Sequence, residues 1–341
     1  MRKREVRMKG IHKIAVLLGG DSTEREISLK SGEAVWKSLL RNGYEAIKVD
    51  PREGKLYEQL SEIKPDLVFI ALHGKGGEDG TIQGFLEHLN IPYTGSGVLA
   101  SALTMNKIYT QSVLRDGGIT VPDFFWLDRK MASALGISGL VVKIKEELGF
   151  PVLVKAPSQG SSLGIYFINK EDRSWEAQLE EALAGAFALE DRIMIEKMIS
   201  PSDEITIGLL GNEQAYPLPT LEITTVSGYY DYESKYTKGL CQHIIPARID
   251  AGMRNLAKEQ AVAAYQLLGC RGFARADFMV TREKAYLIDI NTIPGFTEMS
   301  LLPDAAKAIG ISFDALTEYI VSMAAGQEFP YETYQDHVFE S

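Results

Sequence analysis

Short apolar runs alternate with amphipathic stretches along the N-terminal part of the chain. Runs bounded by Gly, Pro or Asp predict buried strands, and apolar positions that recur every three or four residues predict helices. We predict strands at 13–18, 45–49, 66–72 and 92–94, and helices at 28–42 and 84–89. This alternation predicts a small doubly wound domain at 11–100, in which ligands bind at the carboxyl ends of the strands.

The remaining sequence is less regular and divides into two further units. The first, at 101–199, has predicted helices at 101–117 and 175–188, and strands around 121–126, 152–156, 164–168 and 192–196. The second, at 200–330, has predicted strands at 204–210 and 215–223, helices at 253–268 and 313–323, and a hairpin at 275–291. The prediction is an α/β protein of three domains, with α+β character in the C-terminal half.

The hairpin carries the most informative polar residues. Side chains on a strand repeat every second residue, so Arg275 shares a face with Asp277, and Asp289 shares one with Asn291. With a turn at 282–284, all four side chains face the same way. Two carboxylates and an amide oxygen suit Mg2+, which binds through few protein ligands and phosphates. An ordinary salt-bridged hairpin is the alternative that this segment leaves open.

The sequence contains no G-x-x-x-x-G-K-S/T stretch, so a Walker-type phosphate-binding loop is not expected. Other residues are candidates for phosphate binding. A Gly/Ser-rich loop at 155–164 begins with Lys155 and offers backbone N–H groups to phosphate, although an ordinary loop has the same composition. Lys107 is predicted early in a helix, where a bound phosphate would offset its unfavourable position in the helix dipole. The strand at 193–199, with Glu204 just beyond, could bracket adenine and ribose.

Two glycine-rich loops follow predicted strands of the first domain. Gly19 and Gly20 allow a tight turn, after which Ser22 or Ser28 could cap the next helix. His73 follows another strand in a loop with four glycines. Loops at the carboxyl ends of neighbouring strands face one cleft, so we expect a ligand between them. A third irregular segment, 224–242, is rich in tyrosine and long enough to form a lid or binding loop.

Composition narrows the classes of partner. The chain has 341 residues, of which 45% are hydrophobic and 24% charged, as in soluble globular proteins. Its net charge of −10 argues against nucleic acid and anionic membranes as partners. No apolar run approaches the length of about twenty residues that spans a bilayer. Two cysteines give no disulfide framework, which suits the cytoplasm.

Taken together, these segments resemble the D-alanine–D-alanine ligase family of the ATP-grasp superfamily. The resemblance runs from about residue 12 to residue 316. It is carried by the stretches LLGGDSTEREIS, ALHGKGGEDG, PYTGSGVLASA, QGSS, YDYESKY and NTIPGFT, the last followed by SLLP. The resemblance implies a three-domain ATP-grasp fold with a Rossmann-like N-terminal domain. It also implies a cytoplasmic homodimer that joins two D-alanines for peptidoglycan with ATP and two Mg2+ ions, or Mn2+ in their place.

The resemblance further implies a role for individual residues. Glu24 would hold the ammonium of the first D-alanine in a trio with Ser161 and Tyr236, near His73, and Arg275 with the Gly295 backbone would stabilise the oxyanion. The second substrate and the phosphates would contact Lys235, Ser300 and Leu301. Metal binding would fall to Asp277, Asp289 and Asn291. ATP would contact Lys107, Lys155, Ser161, Ser162, Glu196, Lys197, Ile199, Glu204 and Lys235.

Several positions depart from the family pattern. Asp289 stands where the family generally has Glu, Gln159 where many members have Glu, and Asn106 where Asp is common. The segment after Tyr236 lacks the acidic residue and Thr of many members. The alternatives are a ligase that uses D-serine or D-lactate as its second substrate, another ATP-grasp carboxylate–amine ligase, or a nucleotide-binding regulatory protein without turnover.

Overall fold

The protein combines helices and strands around three sheets. The computed structural model describes residues 10–161, 163–225 and 241–334. The first sheet is parallel, with strands β1 (Lys13–Leu17), β2 (Glu45–Val49) and β3 (Leu67–Ile70) in the order β2-β1-β3. Helices α1 (Arg25–Arg41), α2 (Leu56–Ile63) and α3 (Thr81–His88) accompany it. β1 and β3 are buried on both faces, as their unbroken apolar runs predict.

The predicted helix at 101–117 is wrong, because the chain forms two helices there. Helix α4 (Val98–Met105) ends at Asn106, and α5 (Lys107–Asp116) begins immediately after it. Asn106 has an extended backbone, and its side chain accepts hydrogen bonds from the N–H groups of Ile108 and Tyr109. Asn is favoured at such capping positions. Lys107 therefore is the first residue of a helix, as the sequence suggested.

The second sheet is antiparallel, with strands β4 (Phe124–Asp128), β5 (Val152–Lys155), β6 (Ile165–Ile168) and β7 (Arg192–Lys197) in the order β4-β7-β5-β6. Helices α6 (Arg129–Glu147) and α7 (Trp175–Leu189) pack against it in a shared core. We did not predict α6 from the sequence. Its apolar pattern is broken at Gly136, whose φ of 60° is non-helical.

The third sheet is the largest that the described residues form. Its strands are β8 (Asp203–Gly211), β9 (Tyr216–Pro217), β10 (Leu221–Thr225), β11 (Cys241–Ile244), β12 (Gly272–Val280) and β13 (Ala285–Asn291). They run in the order β11-β10-β8-β12-β13, with β9 beside β8. The prediction of one strand at 215–223 is wrong, since β9 ends at Pro217 and Pro219 lies in the gap before β10.

Helix α8 (Ala251–Leu267) covers one face of the third sheet and encloses a core with it. Two further helices, α9 (Leu301–Ala308) and α10 (Phe313–Ala324), follow β13. α4 and α5 also share apolar contacts with this sheet, through Ala100 and Leu114. The domain boundaries at 100 and 200 therefore stay predictions. No helix among the described residues has both the length and the apolarity needed to cross a membrane.

Other differences concern the ends of elements. Helix α1 begins three residues earlier than the predicted 28–42, and Ser28 does not cap it. Ser28 Oγ instead donates to Ala71 O and accepts from Gly19 N, which joins β1 to the end of β3. The strand predicted at 92–94 reduces to a single bridge between Val68 and Tyr93. The turn at Gly19 and Gly20 is confirmed by φ values of 81° and 72°.

Candidate active site

A deep cleft of about 560 Å3 lies where the three sheets meet. Its walls come from α1, from the loop after β3, from the start of α5, from the second sheet and from the face of the third sheet opposite α8. Most of the site residues proposed from the sequence line it. These are Glu24, His73, Lys107, Lys155, Ser161, Glu196, Lys197, Ile199, Glu204, Arg275, Asp277, Asp289, Asn291, Gly295, Ser300 and Leu301.

Three of the proposed residues, Ser162, Lys235 and Tyr236, lie outside the part of the chain that the structure describes, as does most of the 224–242 segment. The cleft also contains residues that sequence reasoning did not single out. Glu78 lies in the same glycine-rich loop as His73, and that shared loop is a signal that could have identified it. His243, on β11, faces the cleft and lies 2.8 Å from Asp304 of α9.

The β12–β13 hairpin places its polar residues on one face, as predicted. Asp277 is directly opposite Asp289, and Arg275 is opposite Asn291. The turn closes where Thr281 N donates to Lys284 O. Because residues two apart share a face, all four side chains point into the cleft.

A β-bulge interrupts this hairpin beside the polar residues. The register passes from Asp277 opposite Asp289 to Phe278 opposite Leu287, so Ile288 is the extra residue. A bulge turns successive side chains toward the same side of a strand. Ile288 and Asp289 therefore both line the cleft, which places an apolar surface next to the carboxylate.

The charges on the hairpin balance one another. The Arg275 guanidinium donates to both oxygens of Asp277, at 2.8 and 2.7 Å, and Thr206 donates to Asp277 Oδ1 at 2.6 Å. Lys107 Nζ lies 3.5 Å from Asp289 Oδ1. The salt-bridged hairpin considered for the sequence is thus present, and it lies on a cleft wall together with oxygen atoms of the kind that hard cations bind.

The hairpin's oxygen atoms suit Mg2+. The described residues contain no cluster of three His, Cys, Asp or Glu side chains that would enclose a metal by itself. Two carboxylates with the Asn291 amide, facing an open cleft, instead match a cation that completes its coordination with water and phosphate oxygens. Asn291 Oδ1 also accepts from Ile293 N at 2.9 Å, and this bond fixes the orientation of the amide.

A buried ion pair occupies the wall formed by the second sheet. Lys155 of β5 donates to Glu196 of β7, and the two residues are 4% and 1% exposed. Gln111 of α5 donates to the second oxygen of Glu196 at 2.8 Å. Buried charges need such partners because an unpaired charge in the interior is very costly. Sequence reasoning missed Gln111, which contacts Glu196 only because α5 packs beside β7.

The Gly/Ser-rich loop is tied to the start of α5. Lys107 N donates to Pro157 O at 3.0 Å, and Asn106 Nδ2 donates to Ser158 Oγ at 2.8 Å. Lys107 Nζ also donates to Gln159 O at 3.3 Å. This loop is therefore anchored beside both lysines that we proposed from the sequence for phosphate.

Glu24 and Ser161 meet across the cleft. Ser161 Oγ donates to Glu24 Oε1, and Ser161 has a φ of 51°, which is unusual for a residue other than glycine. Gly160 leaves room for the carboxylate of this pair, since a Cβ there would lie 2.5 Å from Glu24 Oε2 and would displace it. The two strand-end loops are joined as expected, because Ser22 Oγ donates to His73 O at 2.6 Å.

His73 and Glu78 form a buried pair behind Glu24. His73 is 4% exposed, and its Nδ1 lies 3.3 Å from Glu78 Oε1. Burial raises the pKa of Glu78, and the negative charge of Glu24 raises it further, while the hydrogen bond to His73 acts in the opposite direction. A carboxyl beside a second carboxylate favours an arriving ammonium group, which would relieve their repulsion.

We expect Glu78→Gln to stabilise the ligand-free protein at neutral pH. A carboxyl whose pKa is raised by folding contributes its full stability below the ordinary value of 4.5, and loses it as pH rises through the folded pKa. Gln mimics the neutral acid and has no proton to lose. The variant's advantage in free energy of unfolding should grow as the pH rises above about 4.5, in urea titrations at a series of pH values. The exposed Glu62→Gln is the control; a difference independent of pH would contradict the prediction.

Comparison with known proteins gives a consistent result. The family model described as D-ala D-ala ligase C-terminus matches residues 113–322, and the one described as D-ala D-ala ligase N-terminus matches residues 48–96. The D-alanine–D-alanine ligase of Desulforudis audaxviator is 46% identical over 92% of this chain and 99% of its own length. That of Pelotomaculum thermopropionicum is 45% identical over 92% and 96%.

Solved structures of ligases also resemble this chain. The D-alanine–D-alanine ligase from Bacillus anthracis complexed with ATP superposes with a TM-score of 0.77 at 31% identity, covering 92% of this chain and 98% of that one. The VanG D-Ala:D-Ser ligase from Enterococcus faecalis has a TM-score of 0.76 at 32% identity and covers 92% and 99%.

Proposed function

Because the chain belongs to the D-alanine–D-alanine ligase family, we propose that its cleft joins two D-alanine molecules as ATP is converted to ADP and phosphate. One observation carries the proposal. A carboxylate that can hold an ammonium (Glu24), lysines for phosphate (Lys107 and Lys155) and the oxygen ligands of the hairpin all line a single cleft. The dipeptide would serve peptidoglycan synthesis, as in the family that the sequence resembles.

The first chemical step makes a poor electrophile reactive. An oxygen of the first D-alanine's carboxylate attacks the γ-phosphorus of ATP, the bond to the bridging oxygen breaks, and an acyl phosphate and ADP result. Catalysis of this transfer is mostly positioning and neutralisation of charge. Lys155, where the anchored loop begins, and Lys107, which donates to Gln159 O within that loop, would provide positive charge. When Mg2+ is bound, Asp277, Asp289 and Asn291 would hold it, and it would neutralise charge on the phosphates.

The second step forms the peptide bond. The free amine of the second D-alanine attacks the acyl carbon, and negative charge develops on the carbonyl oxygen. The C–O bond to phosphate then breaks as the amide forms, and the phosphate takes up the proton that the nitrogen loses. Arg275 and the Gly295 N–H lie on the cleft wall and would stabilise that oxygen. Ser300, at the start of α9, would receive the carboxylate of the acceptor, where a helix N-terminus favours an anion. We propose that Lys235 and Tyr236 complete the acceptor site.

An acceptor assay tests the function. Purified protein is incubated with ATP, Mg2+ and D-alanine, and separately with D-serine or D-lactate added as acceptor, while ADP and the product are measured. We expect D-alanyl-D-alanine and one ADP per dipeptide. A preference for D-serine, or for the ester with D-lactate, would assign the chain to a sister activity. ADP release without any dipeptide or ester would overturn ligation.

Two further measurements test the remaining proposals. In the acceptor assay, excess chelator should abolish product if Mg2+ or Mn2+ is required. Light scattering of the purified protein should show a dimer if the chain forms the homodimer that we propose. A cytoplasmic location is supported by the requirement for ATP. Full activity in chelator would remove the metal from the mechanism without affecting the identity of the product.

We expect Glu24→Gln to weaken use of the first D-alanine far more than use of ATP. The amide keeps the shape of the side chain but loses the charge that pairs with an ammonium. A hydrogen bond between such charged groups is worth about 1.5–3 kcal/mol. The Michaelis constant for the first D-alanine should therefore rise about tenfold to a hundredfold. Glu26→Gln, exposed in the first turn of α1, is the matched control. Equal changes in both Michaelis constants would place Glu24 elsewhere.

A further inference from the structure

The turn that follows β13 contains Gly295 and is held at both of its ends by neighbours in sequence. Ile293 N donates to Asn291 Oδ1 at 2.9 Å, and Thr297 N donates to Ser300 Oγ at 3.0 Å. The Phe296 ring is 2% exposed and packs against Phe69, Phe273 and Phe313, with centroid separations of 6.0, 6.0 and 5.1 Å. These contacts fix where the turn lies, but none of them acts on the peptide groups immediately around Gly295.

Two hydrogen bonds from the first domain act there instead. His73 Nδ1 lies 3.0 Å from Ile293 O, and Phe296 N donates to Ser31 Oγ at 3.1 Å. The two are linked, because Ser31 Oγ and His73 Nε2 are 3.0 Å apart. Ser31 and His73 are 0% and 4% exposed, so water does not compete for these groups. One buried chain of hydrogen bonds therefore holds the Ile293–Pro294 and Gly295–Phe296 peptide groups, which flank the peptide group that carries the Gly295 N–H.

The partners decide the direction of each bond. His73 Nδ1 faces two acceptors, the Ile293 carbonyl and the Glu78 carboxyl, so Nδ1 carries the proton. With the proton on Nδ1, Nε2 accepts a hydrogen bond from the Ser31 hydroxyl. The oxygen of the same hydroxyl accepts a hydrogen bond from the Phe296 N–H. Each group has a partner in this arrangement, and such a fully satisfied buried network specifies a single geometry.

We propose that Ser31 and His73 are positioning residues that aim the Gly295 N–H at the oxygen of the tetrahedral intermediate. The inference rests on the proposed function, in which Gly295 supplies part of the oxyanion site. A donor stabilises an oxyanion only when it is fixed in advance at hydrogen-bond distance. Supporting groups can matter as much as the donor, because a displacement of about 1 Å costs on the order of a hundredfold in rate.

The chain offers a matched control. Ser28 lies one turn before Ser31 on the same helix, is also 0% exposed, and also makes two hydrogen bonds through its hydroxyl, to Ala71 O and from Gly19 N. Neither bond reaches the turn around Gly295. Ser28→Ala and Ser31→Ala therefore remove the same group from equivalent burial, and only Ser31→Ala releases the Gly295 turn.

The experiment compares both variants with the wild type, using kcat, the Michaelis constant for ATP and the ratio of ADP to dipeptide. We expect Ser31→Ala to lower kcat about tenfold to a hundredfold, with the constant for ATP nearly unchanged. Acyl phosphate that the amine does not capture reacts with water to give D-alanine and phosphate, so the ratio of ADP to dipeptide should rise above one. Ser28→Ala should show a similar loss of melting temperature and a ratio near one.

Three further variants keep the test decisive. Ser31→Cys keeps the shape of the side chain with a slightly larger atom but donates and accepts weakly, so it should show the same raised ratio even if Ser31→Ala folds poorly. His73→Asn retains a donor near the position of Nδ1 and should be less impaired in coupling than His73→Ala. Equal ratios of ADP to dipeptide in the Ser28 and Ser31 variants would overturn the positioning role. Absence of dipeptide with the wild type would instead overturn the proposed function.

Discussion

Asp277→Asn is expected to abolish ligation while leaving the fold intact. Asn keeps the shape of the side chain but removes the charge that faces Asp289 across the hairpin and holds Arg275. Loss of a charged group from a preorganised site costs about a hundredfold to a thousandfold in kcat, and here the same change removes a proposed metal ligand and releases Arg275. We expect the loss in kcat to exceed that range when dipeptide formation is measured with saturating substrates.

The cause can be separated from a general loss of structure. Asp250→Asn is the control, because Asp250 caps α8 in the same part of the protein and is exposed. Calorimetric titration with Mn2+ in the presence of a non-hydrolysable ATP analogue measures metal binding independently of turnover. Asp277→Asn should weaken metal binding, whereas Asp250→Asn should not. Metal affinity equal to that of the wild type would mean that Asp277 acts through Arg275 alone.

Among the substitutions proposed here, Lys155→Met is expected to lower the free energy of unfolding most. Lys155 and Glu196 are 4% and 1% exposed, so removal of the lysine leaves a buried carboxylate whose remaining partner among the described residues is Gln111. Breaking a buried pair on one side costs about 3–5 kcal/mol. The free energy of unfolding from urea titration should fall by that amount, and ATP-dependent turnover should be lost.

The double variant distinguishes stability from function. Lys155→Met combined with Glu196→Gln removes both charges, so most of the stability should return. Turnover should not return, because the charge proposed to meet the phosphates is still missing. Lys170→Met, at an exposed position, is the control for the substitution itself. Recovery of turnover in the double variant would show that Lys155 serves only to neutralise Glu196.

Short-range patterns were sufficient to predict much of the fold. The one-sided hairpin follows from the two-residue repeat of a strand, and the buried strands of the first sheet follow from their apolar runs. The turn at Gly19 and Gly20 needs only the conformational freedom of glycine. Membership of the family, which the sequence motifs suggested, is confirmed by the family models and relatives. The assignment of roles to individual residues stays a prediction.

Other features depended on the competition between local patterns. Asn106 could continue a helix or cap one, and capping of α5 prevails because its side chain reaches two N–H groups. The bulge at Ile288 has no signature in an apolar strand, since either face accepts isoleucine. Helix α6 was missed because Gly136 breaks the periodicity on which its recognition depends.

The sequence by itself determined which residue types occupy each loop and strand end, because capping, turns and strand alternation act within a few neighbours. Tertiary structure alone decided which of them meet. Glu24 and Ser161 are 137 residues apart, Gln111 and Glu196 are 85 apart, and His73 and Ile293 are 220 apart. No local pattern encodes such contacts, since they arise when the three sheets bury their apolar faces, the first and third in part against a shared core, and bring polar residues to one cleft.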